Sequence, residues 1–173
     1  MSAGLNDSSS PTGGDGTYVF IDKDNEYIIT SSQNGNYYYR DYATGETSGY
    51  TIDNTGTGAE FVNPAALDSE SNYLYAAGAG GINRYKLTSS DATKVTFSDA
   101  LLVGSATAFK VSPYTPNAIF VGTSQGKLLK ISAATRPAPI FTSLTGVAFL
   151  GSISNIELGA SENEIFVTFY NYG

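Results

Sequence analysis

Short runs of alternating apolar and polar residues recur along the whole chain, and one run returns four times in the same order. Val19/Ile21, Ala65/Leu67, Phe109/Val111 and Ile156/Leu158 each stand two apart, which places both side chains of a pair on one face of a β-strand, A. A polar turn carrying Asn follows each pair. Next comes a run apolar on both faces: Tyr27-Ile28-Ile29, Tyr73-Leu74-Tyr75, Ala118-Ile119-Phe120-Val121 and Ile165-Phe166-Val167. Such a run predicts a second strand, B, in a sheet covered on both sides. With Ile28, Leu74, Ile119 and Ile165 taken as equivalent, the copies lie 46, 45 and 46 residues apart. Gly35, Gly80/Gly81 and Gly126 mark tight hairpins into a third strand, C, at Tyr37-Tyr38-Tyr39, Ile82 to Tyr85 and Lys127 to Ile131. Weaker segments at Ser48 to Ile52, Lys94 to Phe97 and Ile140 to Leu144 predict a fourth, outer strand, D.

The fold class these patterns predict is all-β. A four-stranded antiparallel meander with a period of about 46 residues and two apolar faces is the repeat of a β-propeller blade, which must stack on its neighbours in a ring of roughly 4 to 8 or more. Residues 1–16, rich in Ser and Gly, read as a linker or as the loop from a preceding blade. Residues 17–173 read as a partial propeller with blades at about 17–56, 57–104, 105–148 and 149–173, the last truncated after strand B. The expectation is an incomplete ring of three blades and part of a fourth, with the remaining blades of a parent protein as its first partners.

Composition narrows the chemistry. Charged residues make up 14% against roughly 25% in an average soluble domain, and hydrophobic residues 41%, so the chain has a core to bury. The 13 Tyr, 9 Phe and 19 Gly suit aromatic strands broken by turns. A formal charge of -7 repels phosphate backbones and anionic lipid, which argues against nucleic acid and membrane surfaces as partners. No apolar run approaches the ~20 residues that span a bilayer, so no membrane insertion is expected. With no Cys and no His, the chain has no disulfide, no Cys/His zinc site, no thiol nucleophile and no Ser-His-Asp triad. No cofactor and no metal are expected. The first ten residues have neither a basic nor an apolar stretch, so an export signal, if there is one, lies outside this chain.

The repeat also separates scaffold from site, because a polar residue recurring at the blade period is read as structural. Arg40, Arg84 and Lys130, 44 and 46 apart at the end of strand C, are read as one solvated or turn-capping cation per blade. Asp22 and Asp68, 46 apart, are read as carboxylates accepting backbone N–H bonds in the A–B turn. Asp22-Lys23-Asp24-Asn25-Glu26 has the look of a calcium loop, but lacks the Gly at the sixth position and the distal Glu. Lys110 and Glu157 fall at matching strand A positions in a column with Phe20 and Ala66, and are expected to form an ion pair between blades. The candidate ligand-binding residues are aromatic: Tyr37, Tyr38, Tyr39 and Tyr42 in one cluster, Tyr170 and Tyr172 in another, each able to stack on a sugar ring or simply to pack within a blade.

The stretch Gly13-Gly14-Asp15-Gly16-Thr17-Tyr18-Val19-Phe20-Ile21-Asp22-Lys23-Asp24-Asn25, with Tyr27 to Ser31, resembles the blade openings of sortilin-like and BNR-repeat propellers of Bacteroidota. Ile153 to Gly159, with Val167 to Gly173, resembles a later blade of the same proteins. That resemblance implies an exported protein of the type IX secretion cargo kind. It departs from the pattern in having no intact Ser-x-Asp-x-Gly-x-Thr-Trp box; Arg40 to Thr47 is a stretched version without Trp. Sialidase chemistry would need three converging arginines, and Arg40, Arg84 and Arg136 are all there are. The reading is a non-catalytic propeller segment of an exported or cell-surface protein, a scaffold for protein or glycan binding. The alternative is part of a BNR-type glycoside hydrolase, sialidase-like or xyloglucanase-like, which would show two channel carboxylates roughly 5 to 9.5 Å apart. A third is the ligand-binding part of a sensor or sortilin-like receptor.

Overall fold

The structure is a computed structural model that describes residues 14–42, 49–56, 58, 60–146, 149 and 151–170. The repeat appears as successive antiparallel meanders. The first contains β1 (Gly16–Ile21), β2 (Tyr27–Ser32), β3 (Asn36–Asp41) and β4 (Gly49–Asp53), hydrogen-bonded in chain order. The second contains β5 (Ala65–Asp68), β6 (Tyr73–Gly78), β7 (Gly81–Leu87) and β8 (Ala92–Phe97), and the third β9 (Ala106–Val111), β10 (Ile119–Thr123), β11 (Leu128–Ser132) and β12 (Ile140–Ser143). The fourth has β13 (Ser152–Leu158) and β14 (Ile165–Tyr170), the A and B strands of a further blade. The ring is not closed.

Strand B explains why its sequence is apolar at consecutive positions. Leu74 packs with Ile29, Tyr37 and Tyr39 of the first blade, whereas the adjacent Tyr75 packs with Ile119, Val121 and Leu129 of the third. One blade further on, Ile119 belongs to that second core and Phe120 to a third, with Ile153 and Ile156 of the fourth blade. Successive side chains point to opposite faces of the sheet, so each central strand feeds two cores at once. The outermost faces lack a neighbour. Val19 and Ile21 are 66% and 62% exposed in the first blade, although their counterparts Ala65/Leu67 and Phe109/Val111 pack against a preceding blade. Phe166, the counterpart of Phe120, is 66% exposed on the last.

The A–B turns use Asn where the backbone turns left-handed: Asn25, Asn72 and Asn117 have φ of 59°, 57° and 57°. Asn tolerates this region because its short polar side chain can bond locally, whereas a β-branched residue there would be strained. At the B–C hairpins Gly35 and Gly126 take φ of 73° and 72°.

Leu74 is fully buried between two sheets. Leu74→Ala should therefore lower unfolding stability by about 2–5 kcal/mol, read as a shift of the urea midpoint at unchanged m-value.

Candidate functional site

The A strands of successive blades run side by side, and their side chains form the inner wall. Here the expected ion pair is present, with Lys110 Nζ 2.7 Å from Glu157 Oε2. An open cavity of about 370 Å³ lies along this wall, lined by Phe20, Ala66, Phe109, Lys110, Asn155 and Glu157 among others. Both charged groups are partly wet, so the pair is worth at most about 1 kcal/mol and acts mainly to neutralise the wall.

The A–B turns form a second row of polar groups, and they tie blade to blade. Asp22 Oδ2 accepts from the N–H groups of Asp24 at 3.0 Å and Glu26 at 3.3 Å, as turn chemistry requires. Its Oδ1 accepts the hydroxyl of Ser69 from the next blade. Burial opposes ionisation of Asp22, yet the Ser69 hydroxyl and the turn N–H bonds outweigh it and hold the carboxyl below its ordinary range. Between the third and fourth blades the partners have exchanged sides: Ser112 donates its hydroxyl to Glu162, which also receives Lys130. Burial again opposes, and Lys130 followed by Ser112 lowers the Glu162 carboxyl. Between the second and third blades the link is weaker, a bond from the Ser71 hydroxyl to Asn117 Oδ1 at 3.1 Å. A cleft of about 430 Å³ opens there, lined by Asp68, Glu70, Ser71, Ser112, Tyr114 and Asn117 among others.

Of the strand C cations, Arg84 is buried rather than solvated, and Arg40 lies outside the column that Arg84 and Lys130 share. Cross-strand register pairs Arg84 with Tyr75 and Lys130 with Phe120; the first-blade residue opposite Ile29, in the same column, is Tyr39. Arg40 pairs with Ile28 and so faces the other way, because a shift of one residue along a strand changes the face. Arg84 is 7% exposed, donates to the carbonyl of Arg136 at 2.7 Å and to that of Ala134, and lies over the rings of Tyr73 and Phe97. It fastens the second blade to the third.

The aromatic candidates separate. Tyr37 and Tyr39 are buried between the first two blades, where Tyr39 stacks between Tyr27 and Tyr50 at 4.8 Å from each. Their faces are occupied by packing, which removes them as sugar platforms. Tyr38 is half-buried on the opposite face, opposite Thr30. Tyr42 and Tyr170 are exposed, on the first and last blades. Tyr172 lies outside the described residues. The five described tyrosines therefore do not form one site.

A further carboxylate is Asp53, at the end of β4; Asp99 lies 46 residues on, but cross-strand pairing puts Phe97 in the place of Asp53. Its Oδ2 accepts Lys94 Nζ and the Tyr85 hydroxyl, each at 2.7 Å, and its Oδ1 accepts the N–H and hydroxyl of Thr55. Burial pushes its pKa up, but Lys94, Tyr85 and Thr55 prevail and bring it to about 2.

No protein-family model matches this chain, and no curated protein matches it. Solved structures do. The β-propeller domain of Cps50 (Swd1) from Myceliophteria thermophila superimposes with a TM-score of 0.63 at 13% identity, over 90% of this chain and 49% of that one. U3-55K matches with a TM-score of 0.63 at 13% identity, over 84% of this chain and 43% of the other. The protein thus has a β-propeller fold, and it spans about half the length of each of these structures.

The Asp53 cluster generates a pH prediction. A carboxyl whose folded pKa lies below its unfolded value stabilises the fold above the unfolded pKa and loses that contribution as pH falls through the folded one. Its share should be complete above pH ~4 and fade towards pH 2. Asp53→Asn should flatten that part of the stability-versus-pH curve, measured by denaturation at each pH.

Proposed function

We propose that this chain is a non-catalytic propeller segment that serves as a scaffold for protein binding. The observation that carries this reading is the division between strands and turns. The strands repeat, and their aromatic and aliphatic side chains are consumed in the interfaces between blades. The A–B turns lie along one face of the ring on a backbone held by stacked sheets, and there the partners differ from junction to junction: Asp22 with Ser69, Ser71 with Asn117, and Ser112 with Glu162. Binding residues on loops over a rigid scaffold are the usual division of labour in such folds. The glycoside-hydrolase alternative is not favoured: among the described residues, Glu157 is the one carboxylate lining the inner-wall cavity, and it is paired with Lys110.

Export to the cell surface, with a sortilin-like or BNR-type ancestry, belongs to the same proposal. It is supported by the low charge, the Tyr-, Ser- and Asn-rich composition and the blade openings near residues 13–31. Glycan contact would fall to the exposed rings of Tyr42 and Tyr170.

Cross-linking of the intact protein in its native source, with the linked residues mapped by mass spectrometry, tests the scaffold role. The expected result is one recurrent protein partner linked at turn residues of a single ring face. Links scattered over the whole surface, or turnover of a sialoside or xyloglucan, would rule against it.

A further inference from the structure

We propose that the cleft between the A–B turns of the second and third blades binds a cationic side chain, guanidinium or ammonium, presented by a protein partner. The inference rests on the scaffold reading only for the partner that presents the cation. The cleft itself is read from a link between blades that is complete on either side of it and broken within it.

Ile21, Leu67 and Val111 are equivalent by cross-strand pairing with Ile28, Leu74 and Ile119, so Asp22, Asp68 and Ser112 follow them in one column and Lys23, Ser69 and Pro113 in the next. Between the first two blades, the Asp22 carboxylate receives the Ser69 hydroxyl. One step on, Asp68 stands in the place of Asp22, but Pro113 stands in the place of Ser69 and has neither a hydroxyl nor an N–H to give. The turn after Val111 is also one residue longer than the turn after Leu67, and carries Pro116 as well.

The consequence is an acceptor with no donor. Asp68 is 4% exposed; its Oδ1 accepts the Ser71 N–H at 3.2 Å, and its Oδ2 has no partner among the described residues. Tyr75, on the same face of this blade and fully buried, has a hydroxyl that is likewise without a partner. Buried polar atoms are rarely left unsatisfied, and two on one face of a sheet mark a place where something else donates. Arg84, the buried cation of this blade, does not serve Asp68: it is spent on the carbonyls of Ala134 and Arg136. Asp68 lines the cleft, with Glu70 nearby, and no Lys or Arg lines it. Lys23 reaches Glu70 at 3.5 Å, so the uncompensated acid of the cleft is Asp68, in a chain of net charge -7.

A cation is the donor that the neighbouring turns themselves employ. Glu162 receives Lys130, and Lys23 lies 3.5 Å from Glu70. An ammonium or guanidinium entering the cleft would supply N–H donors to Asp68 Oδ2, in charge-assisted bonds stronger than a neutral donor could make. The Tyr114 ring at the rim offers an apolar wall for the aliphatic stem.

The test is titration of Ac-Gly-Arg-Gly-NH2 into the ¹⁵N-labelled full chain, followed by amide chemical shifts. Saturable shifts confined to residues 68–71 and 112–117, with a dissociation constant on the order of millimolar, are expected, and none with Ac-Gly-Gln-Gly-NH2. Asp68→Asn should weaken binding roughly tenfold, as loss of a charge-assisted bond would. Pro113→Ser, which returns a hydroxyl to the column of Ser69, should weaken it as well by giving Asp68 an internal donor. Asp99→Asn, an acid in the loop between blades, should leave it unchanged. Absent shifts, shifts spread over the acidic surface, or equal shifts with the glutamine peptide would overturn the proposal; the last result would mean that the cleft takes neutral polar groups and not a cation. Unchanged binding in a folded Pro113→Ser variant would do the same, and that variant decides the matter if Asp68→Asn fails to fold. A flat titration sinks this cleft alone, while the cross-link map still judges the scaffold.

Discussion

Everything in this molecule depends on covering both faces of each sheet. A single four-stranded meander with apolar residues at consecutive positions of its second strand has no wet side on which to rest. Leu74 and Tyr75 cannot both be buried unless sheets stand on either side. Burying side chains of this size is worth on the order of 1.5–3 kcal/mol each, so stacking is what makes the strand sequence affordable. The same constraint shows at the ends, where Val19, Ile21 and Phe166 occupy interface columns yet meet solvent.

Hydrophobic stacking is not directional, and register between blades is supplied by polar links. Arg84 reaches the loop after β11 of the next blade, Asp53 reaches Lys94 and Tyr85, and Lys110 reaches Glu157. The A–B turns show how loosely such a link constrains sequence. Asp22 with Ser69, and Ser112 with Glu162, achieve one result with the carboxylate on opposite sides of the junction. What matters is that one hydroxyl meets one carboxylate. Where neither arrangement is available, at Asp68, the junction opens into a cleft.

The period was readable because burial on two faces forces apolar residues into the same columns at every turn of the repeat, and the strands, hairpin glycines and left-handed Asn positions follow from local chemistry. The Lys110–Glu157 pair was readable too, since the two lie in one column of adjacent blades. Counting cations by spacing alone failed at Arg40, which lies one residue from the column of Arg84 and Lys130; only cross-strand pairing distinguishes the two faces of a strand. The tyrosines of β3 stayed open between packing and sugar contact for a related reason, because a Tyr at an interface and a Tyr at a surface have the same composition and differ only in what stands opposite.

The order of residues along this chain determined the all-β repeat, its length and the strands of each blade, because those rest on periodicity and on turn chemistry within about ten residues. Tertiary structure alone decided which tyrosines are consumed in packing, that Arg84 is a buried fastener, that Lys94 and Tyr85 hold Asp53 and that Asp68 Oδ2 lacks a donor. Each of these depends on residues some tens of positions away brought into contact by the stacking of sheets, and no local pattern records which side chain arrives on the far side.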